Sequence, residues 1–141
     1  MIVILVNGPP GSGKDTIGEL VQQQFCSFVH MEKFAMPIKH AVRMTYNIPM
    51  SRWREMDTLE NKGLKHSELH GKTPREVQIR FSEDWLKQLH DSAILGKLLV
   101  DRLKYIKDRE AVVVTDSGFL PEAEIIVGHY EPVNVFLWNR S

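Results

Sequence analysis

Ile2-Val-Ile-Leu-Val6, Asn7, then Gly8-Pro-Pro-Gly-Ser-Gly13-Lys14-Asp15-Thr16 is the stretch on which the fold turns. The apolar, β-branched run Ile2 to Val6 suits a strand covered on both faces, as in a parallel sheet. Glycine and proline stop it at once. Ile17, Leu20, Val21 and Phe25 follow at the spacing of one helix face. Strand, glycine-rich loop and helix form the context in which G-x-x-x-x-G-K-[ST] binds phosphate. Gly8, Gly13 and Lys14 match that pattern, whereas Asp15 stands where Ser or Thr is usual and Thr16 comes one place later.

The physical logic is that of an anion site. Backbone N–H groups at a helix N-terminus, with the helix dipole behind them, stabilise concentrated negative charge. Side chains would block close approach, so glycine is needed at several points. Gly8, Gly11, Ser12, Gly13, Lys14, Asp15 and Thr16 are therefore expected to hold the phosphates of ATP, with Lys14 reaching the β- and γ-phosphates. A second buried run, Ala111-Val-Val-Val-Thr115, ends at Asp116. Open α/β sheets place their ligands at such strand ends, and a carboxylate there can hold magnesium or its water. Lys14, Asp15 and Asp116 are the expected catalytic residues. Asp15, Thr16 and Asp116 are the expected magnesium site: Asp15 binds directly or through water, or Thr16 takes its place.

A chain of 141 residues with 43% apolar residues points to one domain with a real core. Lysine plus arginine equals aspartate plus glutamate, giving a formal net charge of zero, which offers nucleic-acid binding no support. The single cysteine, Cys26, forms no internal disulfide or multi-cysteine zinc site and fits a reducing compartment. Met1 to Val6 is too short to cross a membrane and lacks the marks of a signal peptide. A soluble, cytoplasmic protein is expected, without membrane or nucleic-acid partner.

Ser27 to Met31 reads as a short second strand, and Pro37 to Tyr46 as a helix with Ile38, Ala41 and Val42 facing inward. Ser51 to Gly71 is polar and histidine-rich, a loop with some helix. Thr73-Pro-Arg-Glu76 is a capped helix start, and that helix is expected to run to about Leu89. Ile94 to Tyr105 and Pro121 to Val127 read as helices, and Val133 to Trp138 as a last strand. Strands alternating with helices imply a parallel α/β sheet. The expectation is a three-layer P-loop NTPase fold in one domain, with a helical substrate-side region at about residues 32 to 108 set between sheet strands.

The sequence resembles the bacteriophage deoxynucleoside monophosphate kinases, within the P-loop nucleoside monophosphate kinase group. Four segments carry the resemblance: Ser12-Gly-Lys-Asp-Thr16, Phe34-Ala-Met-Pro-Ile-Lys39, Gly71-Lys-Thr-Pro-Arg-Glu76 with Phe81-Ser-Glu-Asp-Trp85, and Thr115-Asp-Ser-Gly-Phe-Leu-Pro-Glu-Ala-Glu124. They cover most of the chain in the family's order. The resemblance implies magnesium-dependent transfer of the ATP γ-phosphate to a (deoxy)nucleoside 5′-monophosphate. It also implies a homodimer, and the host cytoplasm if the chain is phage-encoded. Two departures stand out: Gly118 occupies a position where the family often has arginine, and the chain ends after the Val133 strand. The kinases of this group usually continue with a lid, a strand and a helix, so the C-terminal part is expected to be shortened, with Arg140 as the first residue of a lid that does not follow.

Two anionic phosphates can meet only between cations. Lys39, Arg43, Arg75 and Arg80 are the candidates on the predicted helices, and Lys39 and Arg43 lie four apart on one face. Asp84 and its neighbour Glu83 can read a base or sugar edge. Trp85 and Phe81, also four apart, can stack a base, although such a pair more often lies in a core. His66 and His70 have a metal-compatible spacing but lack further ligands. Two other readings share the loop: a kinase of another small metabolite, of the phosphomevalonate kinase type, and a nucleotide-binding module that transfers nothing.

Overall fold

The computed structural model describes residues 1–25, 28–107 and 110–137. Cys26, Ser27, Trp138, Asn139, Arg140 and Ser141, on which some of the sequence expectations fall, lie outside the described residues. The chain divides into two compact units, one formed by residues 1–35 and 92–141, the other by residues 36–91.

The first unit holds a four-stranded, all-parallel sheet, with β1 at Ile2–Asn7, β2 at Val29–Glu32, β3 at Ala111–Val114 and β4 at Val133–Phe136. The strand order is β2-β3-β1-β4. Ile2 to Leu5 pair with Ala111 to Val114, and Ile4 to Asn7 with Val133 to Phe136. Successive strand residues point to opposite faces. Val3, Leu5, Val112 and Val114 are buried on one face, and Val6, Val29 and Val113 on the other. Burial on both faces is what the unbroken apolar runs of β1 and β3 require.

Helices flank the sheet: α1 at Lys14–Phe25, α6 at Ile94–Leu103 and α7 at Leu120–His129. Of the four α1 residues at one-face spacing, Val21 packs against the core and Ile17 is half-buried, whereas Leu20 and Phe25 are exposed; the fully buried residue is Gly18. A Cβ at Gly18 would lie 2.9 Å from Thr115 Cγ2 and against the Met31 side chain. The missing side chain thus lets α1 lie directly on β2 and the end of β3. Gly96 of α6 plays the same part, since a Cβ there would lie 2.7 Å from the Glu122 carbonyl oxygen of α7.

The second unit is helical: α2 at Met36–Thr45, α3 at Met50–Met56, α4 at Pro74–Arg80 and α5 at Lys87–Leu89. A π-helical turn at Phe81–Leu86 joins α4 to α5. Thr73 caps α4 by accepting the Glu76 N–H at 3.1 Å, with Pro74 in the first turn, as the sequence predicts. Within the polar stretch, Trp53 and Met56 of α3 are buried. A one-turn 3-10 helix at Ser67–Leu69 is closed by the His66–Lys72 bridge. Among the described residues no helix is long and apolar enough to cross a membrane.

The two kinds of helical glycine make opposite predictions. Gly96→Ala drives a methyl into backbone and should cost about 1–3 kcal/mol. Gly128, in α7, has nothing within 4 Å of its notional Cβ. Gly128→Ala should be neutral or gain about 0.5–1 kcal/mol. Thermal or urea unfolding of the two variants reads the difference.

Candidate phosphate site

The loop from Gly8 to Gly13 leaves β1 at the carboxyl edge of the sheet. From β1 the chain crosses β3 to reach β2, and from β3 it crosses β1 to reach β4. The carboxyl ends of β1 and β3 therefore flank the point where the winding reverses, where open α/β sheets form a ligand crevice. Ser117 N–H donates to the Val6 carbonyl at 3.3 Å, which sets the segment after β3 beside the start of the loop.

Each part of the loop has a local cause. Gly11 and Gly13 adopt φ of 75° and 93°, a region that favours glycine. Gly8 is demanded by space, because a Cβ there would lie 2.9 Å from the Leu137 carbonyl oxygen and 2.5 Å from Ser12 Oγ. The Asn7 side chain accepts the Gly8 N–H at 2.7 Å. Gly13 O accepts the Ile17 N–H at 2.9 Å and so starts the ladder of α1. Ser12 Oγ is buried and has no hydrogen-bond partner among the described residues, an uncommon state for a hydroxyl. Lys14 folds back on its own loop, donating from Nζ to the Gly8 carbonyl at 2.5 Å and the Pro9 carbonyl at 3.3 Å.

Asp116 follows β3 by two residues. Its Oδ1 accepts the Phe34 N–H at 2.8 Å and its Oδ2 the Ala35 N–H at 3.0 Å. The carboxylate thereby fixes the path of the chain after β2. Asp15, largely exposed on the first turn of α1, pairs with Lys33 at 2.7 Å, and Lys33 Nζ also donates to Thr115 Oγ1 at 2.9 Å. Lys33 is the site residue that the sequence pattern misses. It stands one residue outside the family-like segment that begins at Phe34, and its partners are far away in sequence. Thr16 is exposed.

The oxygen donors of Asp15, Thr16 and Asp116 suit a hard cation. Among the described residues no three or more His, Cys, Asp or Glu side chains gather as a metal group. Magnesium is commonly held by one or two protein oxygens together with substrate phosphates, so the donor set fits that ion. Asp15, Thr16 and Asp116 would be the residues to hold it, and the ion would supply neutralisation of phosphate charge there.

The candidate acceptor residues all lie in the helical unit. Lys39 Nζ pairs with Asp57 Oδ2 at 2.5 Å, and Gln78 donates to Asp57 Oδ1 at 3.0 Å. Arg43 Nη1 donates to the Ile48 carbonyl at 3.3 Å, while its buried Nε has no partner among the described residues. Arg80 pairs with Asp84 at 2.5 Å on the exposed side of the helix. Arg75 is exposed. Phe81 and Trp85 meet edge to face, with ring centroids 6.2 Å apart. The expectation that this pair belongs to a core is corrected: Trp85 is 50% exposed, because the π turn that carries it presents Leu86 to the interior instead. His66 Nε2 donates to the Asn61 carbonyl at 3.0 Å, and His70 lies against Tyr46. These two histidines have separate partners.

Arg52 gathers Glu68 at 2.5 Å and Glu55 at 3.1 Å. The Arg52 hydrogen bond holds the Glu68 carboxyl well below the usual carboxylate range, at about 2, and raises the Arg52 guanidinium in turn.

Compared with known proteins, the chain matches no family model and no curated protein.

Two outcomes test these contacts. Asp116→Ala leaves the Phe34 and Ala35 amides without their acceptor and should lower stability by about 1–3 kcal/mol for each donor that stays buried; Asp116→Asn, which keeps one acceptor oxygen, should lose less. Because the folded-state pKa of Glu68 is depressed, its stabilising effect is present above the ordinary value of 4.5 and lost as pH falls toward 2. The stability gap between the parent chain and Glu68→Gln should therefore be constant near neutrality and close over that acid range in pH-dependent unfolding.

Proposed function

We propose that this chain is an ATP-dependent kinase of (deoxy)nucleoside 5′-monophosphates, built on a P-loop NTPase-type sheet. The observation that carries this reading is the glycine loop itself. It lies between a buried parallel strand and a helix, at the reversal point of the winding, with Gly11 and Gly13 at positive φ and the buried Ser12 hydroxyl unpartnered among the described residues. The family-like segments at Phe34 to Lys39, Gly71 to Glu76, Phe81 to Trp85 and Thr115 to Glu124 support the monophosphate as acceptor.

In the proposed reaction an acceptor phosphate oxygen attacks the γ-phosphorus of ATP. The bond to the β,γ-bridging oxygen breaks, and its electron pair leaves on ADP. The acceptor is already an anionic nucleophile, so no side chain must act as a strong base. Catalysis of this kind is positioning plus charge neutralisation. Lys14 would leave the Gly8 and Pro9 carbonyls for the β- and γ-phosphates, exchanging neutral acceptors for anionic ones. Asp116 would hold the chain after β2 in place, and Asp15, Thr16 and Asp116 would serve the magnesium ion. Lys39, Arg43, Arg75 and Arg80 are assigned to the acceptor phosphate, and Asp84 and Trp85 to its nucleoside. For Lys39 and Arg80 that role requires sharing or breaking their pairs with Asp57 and Asp84.

Coupled ADP release with ATP, magnesium and a panel of ribo- and deoxyribonucleoside monophosphates tests the reading. Release that depends on one or a few monophosphates is expected. Lys14→Ala should reduce it by about 100-fold or more with the fold retained by circular dichroism. Near-normal turnover in that variant would remove the loop from the reaction. Release indifferent to every acceptor would point instead to a module that hydrolyses ATP without transfer.

A further inference from the structure

Lys33 is a cation of the sheet unit to which the reading above gives no role. It is the first residue after β2, and its ammonium joins Asp15 on α1 to Thr115 at the end of β3. It stands at the edge of the sheet from which the glycine loop leaves. Its side chain is 30% exposed, so the charge is reachable from solvent.

The backbone that carries Lys33 is held from two sides. Arg102 of α6 donates through Nη2 to the Lys33 carbonyl at 2.8 Å and through Nε and Nη2 to Glu32 Oε2 at 3.2 and 3.1 Å. The next two residues give their amides to Asp116. A surface lysine that merely solvates a strand end needs no such fixation. Thr115, which receives one of the ammonium's hydrogen bonds, is 1% exposed, so one end of the arrangement is fixed inside the fold. The Asp15 end lies in solvent and can be exchanged. An ammonium has three donors, and a polyphosphate oxygen is a stronger acceptor for it than an exposed carboxylate shared with water.

We propose that Lys33 is a second phosphate-contacting cation of the nucleotide site, aimed by Thr115 and the Arg102-held backbone, with Asp15 as its partner until a polyphosphate arrives. The proposal rests on the nucleotide-binding reading of the loop. It makes Lys33 a binding residue for the triphosphate.

The test is calorimetric titration of the full chain with ATP, once in EDTA and once with magnesium, for the parent chain, Lys33→Met, Lys33→Gln and Lys33→Arg. Thermal unfolding of each variant controls for the fold. Losing one charge-assisted hydrogen bond should weaken ATP binding about tenfold or more. The loss should be larger in EDTA, where no divalent cation neutralises the phosphates. Lys33→Arg should retain most of the affinity. If Lys33→Met fails to fold, Lys33→Gln, which keeps a donor without the charge, gives the same reading. Unchanged ATP affinity in a folded, charge-free variant overturns the proposal and leaves the loop assignment standing. A parent chain that binds no ATP at all overturns both.

Discussion

One carboxylate holding two consecutive backbone amides sets the geometry of the sheet's carboxyl edge. Asp116 follows β3, and the Phe34 and Ala35 amides follow β2. Parallel strands need such a device, because nothing in the ladder itself fixes where each chain goes after its last paired residue. With the Asp116 bonds in place, Lys33 is confined between the two strand ends. Its ammonium can then reach Thr115 behind it and Asp15 on α1. Removing the carboxylate would take away one of the two holds on the exit of β2 and leave Arg102 to fix the backbone of the lysine that ties α1 to β3. The order of dependence runs from strand pairing to carboxylate, from carboxylate to turn, and from turn to the charges around the loop.

Those charges are arranged so that the edge is neutralised locally. Lys14 satisfies carbonyls of its own loop and Lys33 satisfies Asp15. Both contacts are made to acceptors that a polyphosphate would outcompete. In the helical unit the pairing is more committed. Lys39 and Asp57 are both mostly buried, and Gln78 holds the second oxygen of the same carboxylate. Separating such a pair leaves a charge in a poorly solvated place, which is costly. Among the candidate acceptor cations, Arg75 and Arg80 are the ones at the surface.

The strands that carry the loop and Asp116 were readable because each is a run of β-branched residues closed by a turn residue, a pattern produced by burial on both faces. The Thr73 cap was readable because its chemistry is local. What escaped the sequence has physical causes of another kind. The buried face of α1 is marked by Gly18, and a residue whose contribution is the absence of a side chain leaves no trace in an apolar pattern. The exposure of Trp85 follows from a π turn, which rotates the helix face that a regular period assigns inward. Lys33 had no signal of its own, since its two partners lie 18 and 82 residues away and only the folded sheet brings them together. The glycine loop was legible as a motif. That the Ser12 hydroxyl would be buried without a partner among the described residues was not.

The glycines of that loop are required for unlike reasons, and this separates foldability from ligand recognition within six residues. At Gly8 any side chain meets the backbone of Leu137, so intolerance there reports on the docking of the chain after β4. At Gly13 the surroundings are open, and only the sign of φ excludes other residues; asparagine, which tolerates that conformation, is the informative replacement. A saturation library selected for abundance alone would already deplete every substitution at Gly8. It would leave Ser12 and Lys14 to be judged by a second selection that demands the nucleotide.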